Sequence, residues 1–455
     1  MKPLELADIQ GIVLFSYASL PHARYVHVSW PEGSRPSAWL AELRHEVHAS
    51  TRSTRSKAGG RVQVAFTYRG LATLSLGAGE LASFPRELQQ GMNDELRSHV
   101  LGDVDDNAPE TWEFGGPKQS PIHALLMLFA KSEGAIGGLR DRLVARLTAL
   151  GGVVVHEDAG ELREPGNEPF GFRDGIVQPH IEGTPRPRGS NDVEVPAGEF
   201  LLGYPNSYDE LPASPQGEDG FDIGNNGSYL VYRKLKQDTS GFWQCMLERA
   251  RPEGDPSAAT KLASAMVGRW PSGAPLVKYP EFDPGPGSEK EDFSYADDPD
   301  GLKCPLGAHI RRSNPRDMLE PSPEKSREAV AHHRLLRRGR PYGPVARGTP
   351  NERSAPDGAE RGLVFIALNT SFRRQFEFVQ QTWLNNPKFA GLYDERDPLV
   401  ASVPGEGGQR YSIPGVPVRR RHSGLPRFVT VRGGGYFFVP SLRALEWLAR
   451  RGDAR

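Results

Sequence analysis

Twice along the chain the apolar pattern runs through the same order of short strands and amphipathic helices, and that doubled rhythm restricts the fold more than any other feature. In the first half, residues 9–15 and 23–28 are strand-like. Residues 38–47 have helical spacing with Ser37 as N-cap, and 62–68 return to β-branched and aromatic alternation. Residues 122–129 read as a strand and 153–157 as another. Between them, 137–150 form an amphipathic helix with Leu139, Leu143, Val144 and Leu147 on one face and arginines on the other. The second half repeats the order: strand 228–233, helix 240–249, strand 362–369, helix 372–384, paired strands 428–431 and 435–439, then helix 441–449. This β-α-β-β-α-β order predicts an α+β fold of two ferredoxin-like units, each an antiparallel sheet with helices, packed together. A chain of 455 residues exceeds what one core usually sustains, and the expected units are 1–220 and 221–455.

The fold should also be loop-rich, because Gly (51) and Pro (40) make up about a fifth of the chain. Residues 183–199, 271–300 and 346–361 are either plain surface loops or the frame of an access channel. A net charge of −1 leaves no basic excess to neutralise phosphates, which disfavours nucleic acid as a partner. Cys245 and Cys304 sit in no CxxC or CxxCH pattern, so a zinc ribbon and covalent haem attachment are both disfavoured, and two lone thiols suit a reducing compartment. Residues 1–14 carry no basic region followed by an apolar stretch, and the apolar run 124–130 is too short to span a bilayer. These features suggest a cytoplasmic protein with no membrane partner, as a monomer or homodimer.

Three segments carry candidate chemistry. The first is Gly171-Phe172-Arg173-Asp174-Gly175-Ile176-Val177-Gln178-Pro179, in which Asp174 either caps a turn or offers a carboxylate to a site. In the second, running from Cys304 to Arg316, a single His309 is followed closely by Arg311, Arg312 and Arg316. One imidazole with several nearby cations suits an iron ligand and the two propionates of a haem, although a lone histidine is more often structural. In the third, Leu335 to Pro344, Arg337 is either a solvated turn residue or aimed into an anion site.

Together the three segments resemble the dye-decolorizing peroxidase family. Gly171, Asp174 and Gly175 fit its GxxDG motif, His309 lies in a stretch like that of its proximal ligand, and Arg337 precedes a short turn ending in Pro341-Tyr342-Gly343. The opening Ile9-Gln10-Gly11-Ile12-Val13-Leu14 and the late Phe376-Glu377-Phe378-Val379-Gln380 with Trp383 also look familial, so the resemblance covers nearly the whole chain. It implies one non-covalent haem b per chain, held mainly by the C-terminal unit. It also implies reduction of hydrogen peroxide and oxidation of bulky aromatic donors through a ferryl intermediate.

The resemblance further implies roles for particular residues. His309 is the axial ligand, with a carboxylate on its second ring nitrogen, for which Glu377 is the candidate. Asp174 and Arg337 act on peroxide. Arg311, and with less support Arg316, would hold a propionate. Leu363 and Phe365, two apart on a strand, would face the haem together, or simply pack in the core. Tyr342 and Trp383 flank haem segments and are candidates for passing electrons from the surface.

Peroxide chemistry gives these residue types a reason. Splitting peroxide moves a proton from the inner oxygen to the outer one, which a carboxylate performs as base and then as acid. An ordinary carboxylate keeps its basic form down to about pH 4, so activity is expected on the acid side. An arginine stabilises the charge on the departing oxygen. A haem carrier or haem-iron-release protein without turnover, and a cofactor-free interaction module, remain as alternatives at this stage. His45 and His48, at i and i+3, lack zinc-protease spacing, and His332-His333 reads as a surface pair.

Overall fold

The structure, a computed structural model, describes residues 3–51, 60–163, 166–185, 194–346, 348–402 and 407–451. The first unit comprises β1 (His22–Ser29), α1 (Pro36–Leu43), β2 (Arg61–Phe66), β3 (Ala124–Ala130), α2 (Glu133–Ala149) and β4 (Val153–Glu161). β3 consists of seven apolar residues and all are buried. Leu126 and Leu128 enter the core on one side of the sheet and Leu125, Met127 and Phe129 the core on the other, as the period of two requires. The strand order β4-β1-β3-β2, antiparallel throughout, is the ferredoxin-like arrangement.

The second unit comprises β5 (Ser228–Gln237), α3 (Thr239–Arg249), β6 (Leu336–Arg337), β7 (Arg340–Tyr342), β8 (Gly362–Asn369), β9 (Val429–Val439) and α4 (Leu442–Arg451). Its order, β9-β5-β8-β6, has the same form, and β7 also pairs with β8. Pairing between β2 and β9 at Phe66 and Phe438 joins the two units edge to edge into one nine-stranded sheet. The closing helix α4 packs against α1 and receives its first turn from Asp8, so the last element completes the core of the first unit.

Several local expectations are corrected. Residues 9–15 do not form a strand. Gly11–Leu14 is a short helix whose Ile12 and Val13 are buried, an outcome that a short apolar run leaves open. Helix α1 begins at Pro36 with Arg35 as its cap residue, not Ser37, because Pro suits the first helical position. The strands expected at 428–431 and 435–439 are one strand with a bulge between Val431 and Gly433. A Cβ at Gly433 would lie 2.4 Å from the Phe114 ring, so glycine at the bulge serves a close approach. The helix at 372–384 is present but wound as π-helix over Arg373–Glu377 and Val379–Leu384, a rare form frequent at functional sites.

Among the described residues no helix is long and apolar enough to cross a membrane. Of the three long loops, 271–300 contributes Phe293 and Tyr295 to the wall of the large cavity described next. No described residue of 183–199 or 346–361 lines it. Residues 186–193 and 347 lie outside the described residues.

Candidate active site

The cavity lies over the second unit's part of the sheet, roofed by the 168–179 loop and bounded by the helix His309–Ser313 and the π-helical segment. Alternation on the strands decides what faces it. Arg233, Leu235 and Gln237 of β5 and Leu363 and Phe365 of β8 point in.

Asp174, Arg337 and His309 all line this one space, although 135 and 163 positions separate the first from the other two. Asp174 follows a hairpin in which its N–H donates to the Gly166 carbonyl (3.1 Å), and its Oδ1 accepts from the Gly175 N–H (2.6 Å). Gly171 has φ +102°, and a Cβ there would sit 2.1 Å from the Arg353 guanidinium, so this position requires glycine. Between them Glu168 braces the loop from inside. Its carboxylate accepts from the N–H groups of Phe170 (3.0 Å) and Phe172 (2.9 Å) and from Gln237 Nε2 (2.7 Å). Burial pushes this carboxyl up to about 7 despite those three donors.

Arg337 lies on β6, so neighbouring side chains go to opposite faces. Arg337 enters the cavity, whereas Arg338 passes to the carbonyls of Ile12 (2.9 Å) and Val13 (2.8 Å). Arg337 Nη1 stands 3.6 Å from Asp174 Oδ1, and its Nη2 donates to the Val177 carbonyl (3.2 Å). Its backbone N–H donates to Gln178 Oε1 (3.0 Å), which ties the two peroxide-side segments together. Both side chains remain open to the cavity, at 39% and 46% exposure for Arg337 and Asp174.

His309 opens a one-turn helix on the other flank. Its Nδ1 is 2.8 Å from Asp397 Oδ2, while Asp397 Oδ1 accepts from the N–H groups of Leu399 and Val400, both at 2.9 Å. Burial disfavours charge on the imidazole, but the Asp397 carboxylate outweighs it and the net shift is upward. For Asp397, burial pushes up and the His309 interaction pulls further down, leaving it below the usual carboxylate range. The carboxylate fixes Nδ1 as the protonated nitrogen and frees Nε2 for a metal.

Asp397 therefore takes the place expected for Glu377. The Glu377 carboxylate accepts instead from Arg97 (2.8 Å) and the Tyr436 hydroxyl (2.8 Å), away from His309. Arg311 is also corrected as a propionate contact. It is fully buried outside the cavity, with its guanidinium on the Asp298 carboxylate (2.9 Å) and the carbonyls of Cys304 and Asp298. Two residues along a helix is a turn of about 200°, which carries Arg311 away from the face that His309 uses.

On the His309 side, Arg334 and Arg316 are among the cations at the cavity wall, which also include Arg173, Arg233 and Arg269. Arg316 pairs with Glu291 and lies 3.9 Å from the Phe293 ring centre. The Arg334 guanidinium makes no hydrogen bond or ion pair among the described residues, and burial, followed by the nearby Arg316, pushes it down to about 10 while Glu291 acts in the opposite sense. A half-buried guanidinium without a close carboxylate suits an anion. A carboxylate-backed imidazole, an apolar wall of Leu363, Phe365, Val379, Leu399 and Val431, and an Arg short of an anion together fit a haem with its propionates. His333, expected at the surface, also lines the cavity, and Trp383 is buried there at 5% exposure.

Sequence comparison places the chain among proteins with the same name as its resemblance. The multifunctional dye peroxidase DyP2 of an Amycolatopsis species is 35% identical over 365 residues, covering 75% of this chain and 74% of that protein. The dye-decolorizing peroxidase msp1 of Mycetinis scorodonius is 28% identical over 97% of this chain and 87% of its own length. The crystal structure of a fungal DyP-type peroxidase from Auricularia auricula-judae superposes with a TM-score of 0.80 at 25% identity, covering 99% of this chain and all of that one. No protein-family model matches the chain. The chain belongs to the dye-decolorizing peroxidase family. It is therefore a haem peroxidase of this type, which removes the cofactor-free interaction module from consideration.

Proposed function

We propose that this peroxidase holds one haem b per chain, non-covalently, with His309 as iron ligand, and reduces hydrogen peroxide with Asp174 and Arg337 while oxidising bulky aromatic donors. The carrying observation is that Asp174, Arg337 and the Asp397-backed His309 open into one cavity. The haem would supply the iron that binds peroxide and stores its two oxidising equivalents. Asp174 takes the proton from one peroxide oxygen and returns it to the other, and Arg337 stabilises the charge on the departing oxygen. Asp397 keeps Nδ1 protonated and increases the donor strength of Nε2. Arg334, with Arg316, offers the positive charge that the propionates need, and Leu363 and Phe365 keep the wall free of water.

Haem-loaded protein should bleach an anthraquinone dye only when peroxide is present, fastest on the acid side of neutrality, since a carboxylate base works down to about pH 4. Absence of bleaching at any pH, in protein shown to carry haem, would contradict the function. Asp397→Asn should lower haem affinity about 10- to 100-fold, measured by titrating the haem-free protein with hemin, because the neutral amide gives the imidazole less donor strength. An unchanged affinity would remove Asp397 from this role.

A further inference from the structure

The loop that roofs the cavity carries two carboxyls, and the peroxide chemistry uses only Asp174. The other, Glu168, is half-buried and lines the same cavity. Among the described residues its side chain meets only donors. Oε1 accepts from the Phe172 N–H (2.9 Å), and Oε2 accepts from the Phe170 N–H (3.0 Å) and from Gln237 Nε2 (2.7 Å). The far end of that amide is held by nothing. Gln237 Oε1 is buried and has no hydrogen-bond partner among the described residues. Glu168 alone therefore decides which way the amide faces. A half-turn exchanges its oxygen and nitrogen and moves no other group. Gln237 Oε1 then faces Glu168 Oε2, where it can accept only if Glu168 carries a proton. Both backbone bonds survive, because a protonated carboxyl still accepts at each oxygen. The loop thus has two hydrogen-bond arrangements, separated by one proton and one amide turn.

The surroundings favour the protonated arrangement on the acid side. Burial pushes the Glu168 carboxyl up to about 7, and Asp174 pushes the same way. The opposing cation is Arg353, of the short helix Pro350–Arg353, which donates to the Phe170 carbonyl (3.3 Å). The neighbours from β5 and α3 are neutral: Gln237, then Trp243 and Thr239, which donate to the carbonyls of Phe170 (2.9 Å) and Pro169 (3.5 Å). Within the loop, Arg173 is engaged by Glu289 (3.0 Å) and Asp174 faces Arg337 (3.6 Å). A carboxyl whose pKa is raised by folding stabilises the fold in its neutral form. That contribution is complete below the ordinary glutamate range and is lost as pH rises through about 7. One carboxyl of the loop can therefore be neutral under the acid conditions in which Asp174 acts as a charged base.

We propose that Glu168 is a positioning residue for the peroxide step. Protonated, and donating to the turned Gln237 amide, it holds the roof loop through Phe170 and Phe172 and leaves Asp174 as the loop's one negative charge. Ionised, it keeps the same backbone bonds but adds a second negative charge. That charge works against the one developing on the departing oxygen and against its stabilisation by Arg337. The proton that Glu168 holds comes from water as the pH falls and returns to water as it rises, and none of it passes to peroxide. This role rests on the peroxidase function above.

Glu168→Gln in haem-loaded protein tests the role, since an amide is neutral at every pH. In the wild type the rate of the peroxide-induced change in the haem spectrum should fall about tenfold between about pH 6 and 8, as loss of one proton near pH 7 requires. In the variant that fall should disappear. A merely structural brace would lower the rate by one factor at every pH and leave the fall in place, and that result would overturn the proposal. A second measurement needs neither turnover nor a folded variant. Infrared difference spectra of wild-type protein with isotope-labelled glutamate, taken over the same pH range, should show the carbonyl band of a protonated glutamate giving way to carboxylate bands. No such change in the wild type would overturn the proposal even if the variant failed to take up haem. A wild-type protein that carries haem but shows no spectral response to peroxide at any pH would overturn the peroxidase function, and this role with it, whatever the infrared titration shows.

Discussion

Asp174→Ala should slow the reaction with hydrogen peroxide by about 10²–10⁴-fold while leaving the haem bound, the range typical for loss of a positioned acid–base group. Alanine removes the only carboxylate that the 171–175 turn presents to the cavity. It leaves untouched the Asp174 N–H bond to Gly166 and the bracing of the loop by Glu168. The loop should therefore keep its shape, and the defect should lie in the chemistry. Stopped-flow mixing with peroxide separates the two, because a collapsed loop would also change the resting haem spectrum. A variant that reacts with peroxide at the wild-type rate would show that proton transfer does not pass through Asp174.

Arg337→Leu should cost about 10²–10³-fold in the same step, comparable to removing one charge-stabilising donor at a developing anion. Leucine keeps much of the volume and the backbone N–H bond to Gln178, so β6 should remain paired with β8. Arg337 and Asp174 stand 3.6 Å apart and act on the same two oxygens. Their losses should not add, and the double variant should be little worse than Asp174→Ala alone. Full additivity, measured as a double-mutant cycle on the peroxide step, would mean that the two residues act independently.

What the sequence made legible follows from where the physics is local. The long central strands of both ferredoxin-like units were readable because burial on one or both faces forces period-two or continuous apolar patterns, whereas the short strands Leu336–Arg337 and Arg340–Tyr342, set among arginines and a proline, carry no such pattern and were missed. Asp174, His309 and Arg337 were readable only through the motifs around them, since nothing in the spacing brings together positions so far apart. Asp397 was not readable. It stands in a loop beside Asp394 and Glu395, and only the folded chain shows that its carboxylate, 88 residues from His309, turns inward. Arg311 misled because nearness along the chain suggested nearness to the haem, whereas a helix turn sends it to Asp298. Arg334, whose guanidinium makes no ion pair among the described residues, sits in a run of arginines that gives no sign of which one faces inward.

The most direct measurement is the visible absorption spectrum of haem-loaded protein before and after one equivalent of hydrogen peroxide, recorded for the wild type and for Asp174→Ala. With His309 on the iron and Asp174 moving the proton, the wild-type Soret band should fall and shift within the mixing time, and the variant should start from the same resting spectrum but change far more slowly. A wild-type Soret band that stays unchanged, or a variant that keeps pace with the wild type, would contradict the roles assigned to these residues.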